Sequence, residues 1–404
     1  MIRIEGRRRV ARFVLTAGLA AAAVVTGTAG TALAGTPAAP PTGTVLDAGA
    51  AAAISNSYIV VLKPGSNAAD RVTSASQTLV KKYGGTVLNN YLATFRGFHA
   101  RMSATAAARL AADPSVSYVE QDAQVSMAAT QTGAPWGLDR IDQKSLPLSK
   151  SYTYRSAAGV TAYVIDTGIR ISHQDFGGRA RDGWDFIGND AVAADCNGHG
   201  THVAGTIGGA TYGVAKDVKL VGVRVLDCKG TGSYSAIIAG IDWVTAHAAK
   251  PAVANMSIGG VNSAALNNAV TRSIAAGVSY AVAAGNDGKN ACNYSPAATP
   301  NAITVGATDA GDVRASFSNL GSCVDIFAPG ARITSDSYKS DTATAIMSGT
   351  SMAAPHVAGA AALVLGANPG WSPAQVRNSL VDQATSNVVG SRGGGSPDKL
   401  LYTG

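Results

Sequence analysis

From Trp136 onward the sequence alternates short, almost wholly apolar runs with longer stretches of helical spacing. Five apolar runs, at 159–166, 220–226, 252–258, 278–284 and 303–307, show little polar alternation, which predicts strands covered on both faces. Helical patterns lie among and after them, at 199–207, 233–248, 264–276, 351–365 and 372–383. Such alternation predicts an α/β fold: a doubly wound, mostly parallel sheet with helices on both faces. A different order precedes it. Residues 57–63 read as a strand stopped by Pro64-Gly65, and 68–83 as a helix with Val72, Leu79, Val80 and Tyr83 on one side. Strands at 86–92 and 97–102, a helix at 104–111 and a strand at 116–120 follow. The succession β-α-β-β-α-β predicts a small ferredoxin-like α+β domain over 57–128, ahead of a larger domain over 129–404.

The first 56 residues fit neither pattern. Arg7-Arg8-Arg9 precede an apolar run over 10–33 that closes on Ala32-Leu33-Ala34, which reads as a signal peptide over 1–34. Residues 35–56, rich in Ala, Gly, Pro and Thr, read as a disordered leader. No other stretch reaches a membrane-spanning length without polar interruption. The net charge of +7 could suggest a nucleic-acid partner, but most of the excess lies before residue 129. The remaining domain is nearly neutral and offers phosphates no electrostatic footprint. Export gives the four cysteines meaning. Cys196, Cys228, Cys292 and Cys323 all lie in the larger domain and allow three pairings.

Three motifs carry candidate chemistry. The run 159–168 is a buried strand ending in Asp166 and a glycine turn, where open α/β sheets place their sites. Asn197-Gly198-His199-Gly200-Thr201-His202 is a glycine-flanked entry into a small-residue helix. His199 and His202 are three apart, but the chain after Glu120 contains no glutamate to complete a zinc-protease helix. No catalytic metal is expected, and His202 and His356 read as packed helix histidines. Gly349-Thr350-Ser351 brings a hydroxyl to the start of a buried helix, with Pro355 expected in the first turn, where a missing N–H costs little. A serine hydroxyl becomes a nucleophile when a neutral imidazole removes its proton and a carboxylate orients that imidazole. Asp166, His199 and Ser351 supply those groups in that chain order, and no Gly-x-Ser-x-Gly elbow surrounds the serine. Asn286, in Gly285-Asn286-Asp287-Gly288 after another apolar strand, reads from its neighbours alone as turn punctuation.

With these motifs and their flanks, the chain from about Ser57 to its end resembles the subtilisin-like serine proteases, within the proteinase K branch and nearest the secreted aqualysin type. The resemblance implies peptide-bond hydrolysis by Asp166, His199 and Ser351, with the side chain of Asn286 and the backbone N–H of Ser351 stabilising the oxyanion. It implies that 57–128 is an inhibitory pro-segment whose tail, Val125-Ser126-Met127-Ala128, lies in the cleft until self-cleavage leaves Ala129 as the new N-terminus. It pairs Cys196 with Cys228 and Cys292 with Cys323. It implies that substrates lie as an added strand between Gly230-Thr231-Gly232 and Ser257-Ile258-Gly259. Ala283, Ala284 and Gly285 would leave the primary pocket roomy and uncharged, favouring cleavage after aromatic or aliphatic residues. Structural calcium is implied at Asp325 with the carbonyls of Pro300 and Ala302. A second calcium site is implied at Asp139, Asp142 and Gln143 with Ser149 and Ser151. This second site is expected to be the weaker, because some relatives carry acidic or amide residues where the two serines stand. Val388 occupies the position of the aspartate of a further proteinase K calcium site, so that site is not expected. The implied protein is a secreted monomer acting on proteins and peptides, with its own pro-segment as inhibitor and without a membrane or nucleic-acid partner.

Overall fold

The structure, a computed structural model, describes residues 41–48, 53–64, 69–123 and 128–404. The expected signal peptide and residues Val125, Ser126 and Met127 of the expected cleft-binding tail lie outside the described residues.

The N-terminal unit comprises β1 (Val45–Leu46), β2 (Ala53–Leu62), α1 (Ala69–Tyr83), β3 (Thr86–Tyr91), β4 (Gly97–Arg101), α2 (Ala104–Ala111) and β5 (Val116–Ala123). Its sheet has the order β1-β5-β2-β4-β3. Both helices supply one apolar face to it: Val72, Leu79, Val80, Ala107 and Leu110 meet Tyr58, Val60, Phe98 and Val119 in one core. Ser103 caps α2 by accepting from Ala106 N, which fixes where that helix begins. The expectation of a structureless leader over 35–56 is corrected for its described part. Val45 and Leu46 pair in parallel with Val119 and Glu120, covering the open edge of β5, and Ala53–Asn56 lengthen β2. Unpaired edge N–H and C=O groups recruit whatever extended backbone lies nearby, and composition alone does not reveal that partner.

The larger unit opens with β6 (Ala129–Thr132), α3 (Trp136–Ile141) and β7 (Ser151–Tyr154). The sheet elements and helices β8 (Thr161–Asp166), β9 (Ala180–Asp185), α4 (His199–Gly208), β10 (Lys219–Arg224), α5 (Tyr234–His247) and β11 (Ala252–Met256) follow. Next come β12 (Gly260–Val261), α6 (Ala264–Ala275), β13 (Val278–Ala283), β14 (Tyr294–Ser295), β15 (Ile303–Thr308) and β16 (Ile326–Pro329). The chain ends with β17 (Ile333–Asp336), β18 (Thr344–Met347), α7 (Thr350–Ala367), α8 (Pro373–Gln383), β19 (Thr385–Ser386) and β20 (Lys399–Leu400). Nine strands form one sheet in the order β19-β20-β16-β15-β13-β11-β8-β10-β9, parallel except for β19 with β20. One face packs on α4, α7 and α8 and the other on α5 and α6, giving two cores.

All five strand runs and five helical patterns read from residues 159–383 appear within a few residues of expectation. Ser233 and Ser372 cap α5 and α8 rather than begin them, which moves both starts by one residue. β11 stops at Met256, so that Ser257 and Ile258 leave the sheet for the cleft. The polar edge strand β9 and the two-residue β19 and β20 carry no run long enough to read. β10 lies on one side of β8 and β11 on the other, so the strand order reverses at β8, the place where such sheets hold ligands.

Candidate active site

Asp166 ends β8 and is fully buried. Its Oδ1 accepts from Thr167 N at 2.7 Å and pairs with His199 Nδ1 at 2.8 Å, while its buried Oδ2 has no partner among the described residues. His199 is the first residue of α4, and the glycines beside it are sterically required. Gly198 has φ 108°, and a Cβ there would press into the Tyr338 ring. A Cβ on Gly200 would collide with the carbonyl of Gly168. Only this bare backbone lets the helix start meet the end of β8. Burial alone would lower the basicity of His199, but the charge and hydrogen bond of Asp166, together with Asp195, hold its pKa above the usual histidine value. A quarter of its side chain remains open to solvent, so the ring is both supported and reachable.

Ser351 is the second residue of α7. Among the described residues its Oγ donates to Ser257 O at 3.1 Å, and not to His199. A change of χ1 releases it, a step between staggered wells. Pro355 stands in the second turn of α7 rather than the first, which corrects the sequence reading. At that depth it removes the N–H that would bond the carbonyl four residues back, that of Ser351. Ser257 Oγ donates to that carbonyl at 2.7 Å and itself accepts from Asn255 Nδ2 at 2.9 Å. The proline that would weaken the helix therefore ties the serine segment to the strand opposite.

Asn286 follows β13. Its Oδ1 accepts from Thr350 N at 2.8 Å and Thr350 Oγ1 at 2.9 Å, and Thr350 Oγ1 accepts from Gly285 N at 3.1 Å. With the oxygen held, the amide Nδ2 is the free end, and Asn286 and Ser351 line one pocket of about 390 Å³. Sequence reading missed Thr350; its only local signal was a hydroxyl directly before the serine. Nearby, His202 donates from Nε2 to Ile333 O at 3.0 Å, and burial lowers its pKa to about 4. Burial lowers His356 equally, to about 4, so both are packed, neutral histidines as expected.

A cleft of about 480 Å³ runs beside the site, lined by His199, Gly230, Thr231, Gly232, Ser257, Ile258 and Gly259. Ala283 and Gly285 line the neighbouring pocket, with Asn286 and Ser351. Ala284 between them is fully buried, its carbonyl accepting from Asn319 Nδ2 at 2.8 Å. Disulfides join Cys196 to Cys228 and Cys292 to Cys323. The first closes the loop entering α4 and would contribute about 3–4 kcal/mol in the chain-entropy model.

The two implied calcium sites differ in fit. Asp139, Asp142, Gln143, Ser149 and Ser151 gather at the end of α3, where Ser149 donates to Asp139 and its Oγ lies 2.7 Å from that of Ser151. Gln143 Oε1 accepts from Ser149 N at 3.0 Å. Asp142 Oδ2 accepts from Thr153 N at 2.7 Å, and its buried Oδ1 has no partner among the described residues, which suits a cation ligand. Both Asp139 oxygens accept as well, from Ser149 and Lys150 N, but Asp325 meets a cation: Oδ2 accepts from Thr304 N at 2.8 Å and Oδ1 pairs with the Arg377 guanidinium. The residues around Asp325 do not present an open carboxylate to Pro300 and Ala302, contrary to expectation. Among the described residues no cluster of three or more His, Cys, Asp or Glu side chains suits a metal.

Comparison with known proteins agrees with this geometry. Residues 157–399 match the subtilase family, and residues 57–128 match the peptidase inhibitor I9 family. An extracellular serine proteinase of Thermus sp. (strain Rt41A) is 57% identical over 321 residues, covering 79% of this chain and 78% of that protein. An alkaline serine exoprotease A of Vibrio alginolyticus is 55% identical over 76% of this chain, which spans 58% of that longer protein. The crystal structure of a cold adapted subtilisin-like serine proteinase, 55% identical, superposes with a TM-score of 0.66 over 67% of this chain and 99% of its own. The catalytic-type motifs, the parallel sheet that presents them and these matches agree that the chain belongs to the subtilase family of serine endopeptidases.

Proposed function

We propose that the protein is a secreted endopeptidase made as a self-processing zymogen, with Ser351 as nucleophile, His199 as general base and Asp166 as its orienting carboxylate. The 2.8 Å bond between His199 Nδ1 and Asp166 carries this reading, because it turns the other ring nitrogen away from the carboxylate and leaves it able to accept a proton. His199 Nε2 takes the Ser351 proton as Oγ bonds to the scissile carbonyl carbon, and the carbonyl electron pair moves onto oxygen. Asn286 Nδ2 and Ser351 N donate to that oxyanion; loss of such a donor in subtilisin costs about 10²–10³ in kcat, a value taken over from that relative. The intermediate collapses, the amine leaves with the proton held by His199, and an acyl ester remains on Ser351. Water then repeats the sequence, releasing the acid and restoring the serine hydroxyl.

Gly230–Gly232 and Ser257–Gly259 hold the substrate backbone as an added strand, and the open wall at Ala283 and Gly285 admits apolar and aromatic side chains before the cut. The I9 match over 57–128 supports an inhibitory pro-segment released by cleavage after Ala128, following removal of a signal peptide over 1–34. The test is labelling with phenylmethanesulfonyl fluoride. It should abolish casein hydrolysis and add one sulfonyl group, located by mass spectrometry on Ser351; full activity with Ser351 modified would refute the assignment.

Calcium is assigned to Asp139, Asp142, Gln143, Ser149 and Ser151, where it would neutralise two neighbouring carboxylates and brace the end of α3. Calcium at one hundred times its dissociation constant should then raise unfolding stability by about 2.7 kcal/mol. Asp142→Asn should remove most of the calcium-dependent rise in Tm, and an unchanged rise would exclude this site.

A further inference from the structure

Four residues before His199 stands a carboxylate that the triad chemistry does not use. Asp195 Oδ1 accepts from Thr167 Oγ1 at 2.9 Å, Asn197 N at 2.9 Å and Gly198 N at 2.8 Å. Its Oδ2 accepts from Thr201 N at 2.9 Å and Thr201 Oγ1 at 2.5 Å. These donors belong to both halves of the site. Thr167 directly follows Asp166, and its Oγ1 also accepts from Gly200 N at 2.9 Å. Gly198 and Thr201 flank His199 at the start of α4, where backbone N–H groups lack helical partners and favour an anion. Thr201 Oγ1 in turn accepts from Arg170 N at 3.0 Å, linking the loop after β8 to the same turn.

We propose that Asp195 is a positioning residue for His199, which clamps the start of α4 to the end of β8 and sets a second fixed negative charge behind the imidazole. The inference rests on the reading of His199 as general base. The rigid frame argues for the clamp: Gly198 is the helix cap and supplies no side chain of its own, so the capping acceptor comes from Asp195 instead. Asp166 bonds the ring from β8, and Asp195 bonds the backbone on both sides of His199, at Gly198 and Thr201. His202, one turn along α4, is held neutral by burial. Lys229 lies across the same cleft wall, and Tyr338 packs against Gly198. Of these, Asp166 and Asp195 both raise the basicity of His199, against the effect of burial.

A bare structural clamp and a charged one give different pH profiles. Wild type, Asp195→Asn, Asp195→Glu and Thr167→Val would be made from the full-length chain. For each, kcat/KM on a chromogenic peptide and the rate of inactivation by phenylmethanesulfonyl fluoride would be followed from acid to alkaline pH. Asp195→Asn should lower the plateau about 10- to 100-fold, the size expected of misplaced catalytic groups, and shift the acid limb to lower pH. Asp195→Glu should lose plateau activity while keeping the limb near its wild-type position. Thr167→Val keeps the charge and removes two bonds, to Asp195 and from Gly200 N, so it should lower the plateau with the limb unmoved. An Asp195→Asn limb that stays in place, or a Thr167→Val plateau equal to wild type, would overturn the inference; the second outcome remains readable if Asp195→Asn does not fold. A wild type insensitive to the sulfonyl fluoride would instead bring down the underlying assignment of Ser351 and His199.

Discussion

Ser351→Ala should accumulate as an unprocessed precursor and lose about 10⁶-fold in kcat, a magnitude taken over from subtilisin, where removing the nucleophile costs about as much as removing the whole triad. Both effects have one cause. Without Oγ no acyl ester forms, and the same chemistry is required to cut after Ala128. The fold should be little affected: the variant loses the bond from Ser351 Oγ to Ser257 O, but the Ser351 carbonyl still accepts from Ser257 Oγ. The variant should therefore be secreted with wild-type Tm for its precursor form. Added active wild-type protease should process it in trans. Maturation of Ser351→Ala in the absence of any other protease would refute self-cleavage.

Asp166→Asn should lose about 10⁴-fold in kcat/KM, as in other aligned triads. Its amide matches the carboxylate in shape but cannot hold His199 in the tautomer that leaves Nε2 free. The pH profile should change as well. His199 must be neutral to accept the proton, so activity rises with pH as the imidazolium deprotonates. Asp166 is the foremost contribution raising that pKa. Removing its charge should move the acid limb to lower pH while the plateau collapses. Stopped-flow or steady-state profiles on a soluble peptide read both changes at once, and an unmoved limb would mean that Asp166 does not govern the imidazole.

Local pattern made much of this legible. A strand buried on both faces, as at 161–166, needs apolar residues throughout, and its terminal aspartate then stands out. Small-residue helices entered through glycine mark His199 and the Gly349-Thr350-Ser351 turn because close backbone approach excludes larger side chains. The helix read at 104–111 spans Ala104–Ala111, and the structure adds the Ser103 cap that fixes its start. What remained hidden are bonds between distant positions. Nothing near Thr350 announces that it holds Asn286, and nothing near Pro355 indicates that Ser257 takes the carbonyl it abandons. Arg377 reaches Asp325 across 52 residues and occupies the carboxylate expected to bind calcium. Asp195 looks like ordinary loop chemistry until its partners on both sides of the site are known.

The five residues at 139–151 looked the poorer calcium set because two are serines, yet the fold brings them together around an unpartnered buried carboxylate oxygen. Asp325 looked the better set, but a guanidinium shares its pocket. Ligand type can be read along a chain, whereas competition for a ligand is settled only by packing.

The most direct measurement is a crystal structure of the protein inactivated by a peptide chloromethyl ketone. The account predicts one adduct with two bonds, from the methylene carbon to His199 Nε2 and from the former carbonyl carbon to Ser351 Oγ, with the resulting oxygen accepting from Asn286 Nδ2 and Ser351 N. An adduct on any other pair of side chains, or a Ser351 Oγ beyond bonding reach of a ketone carried by His199, would contradict it.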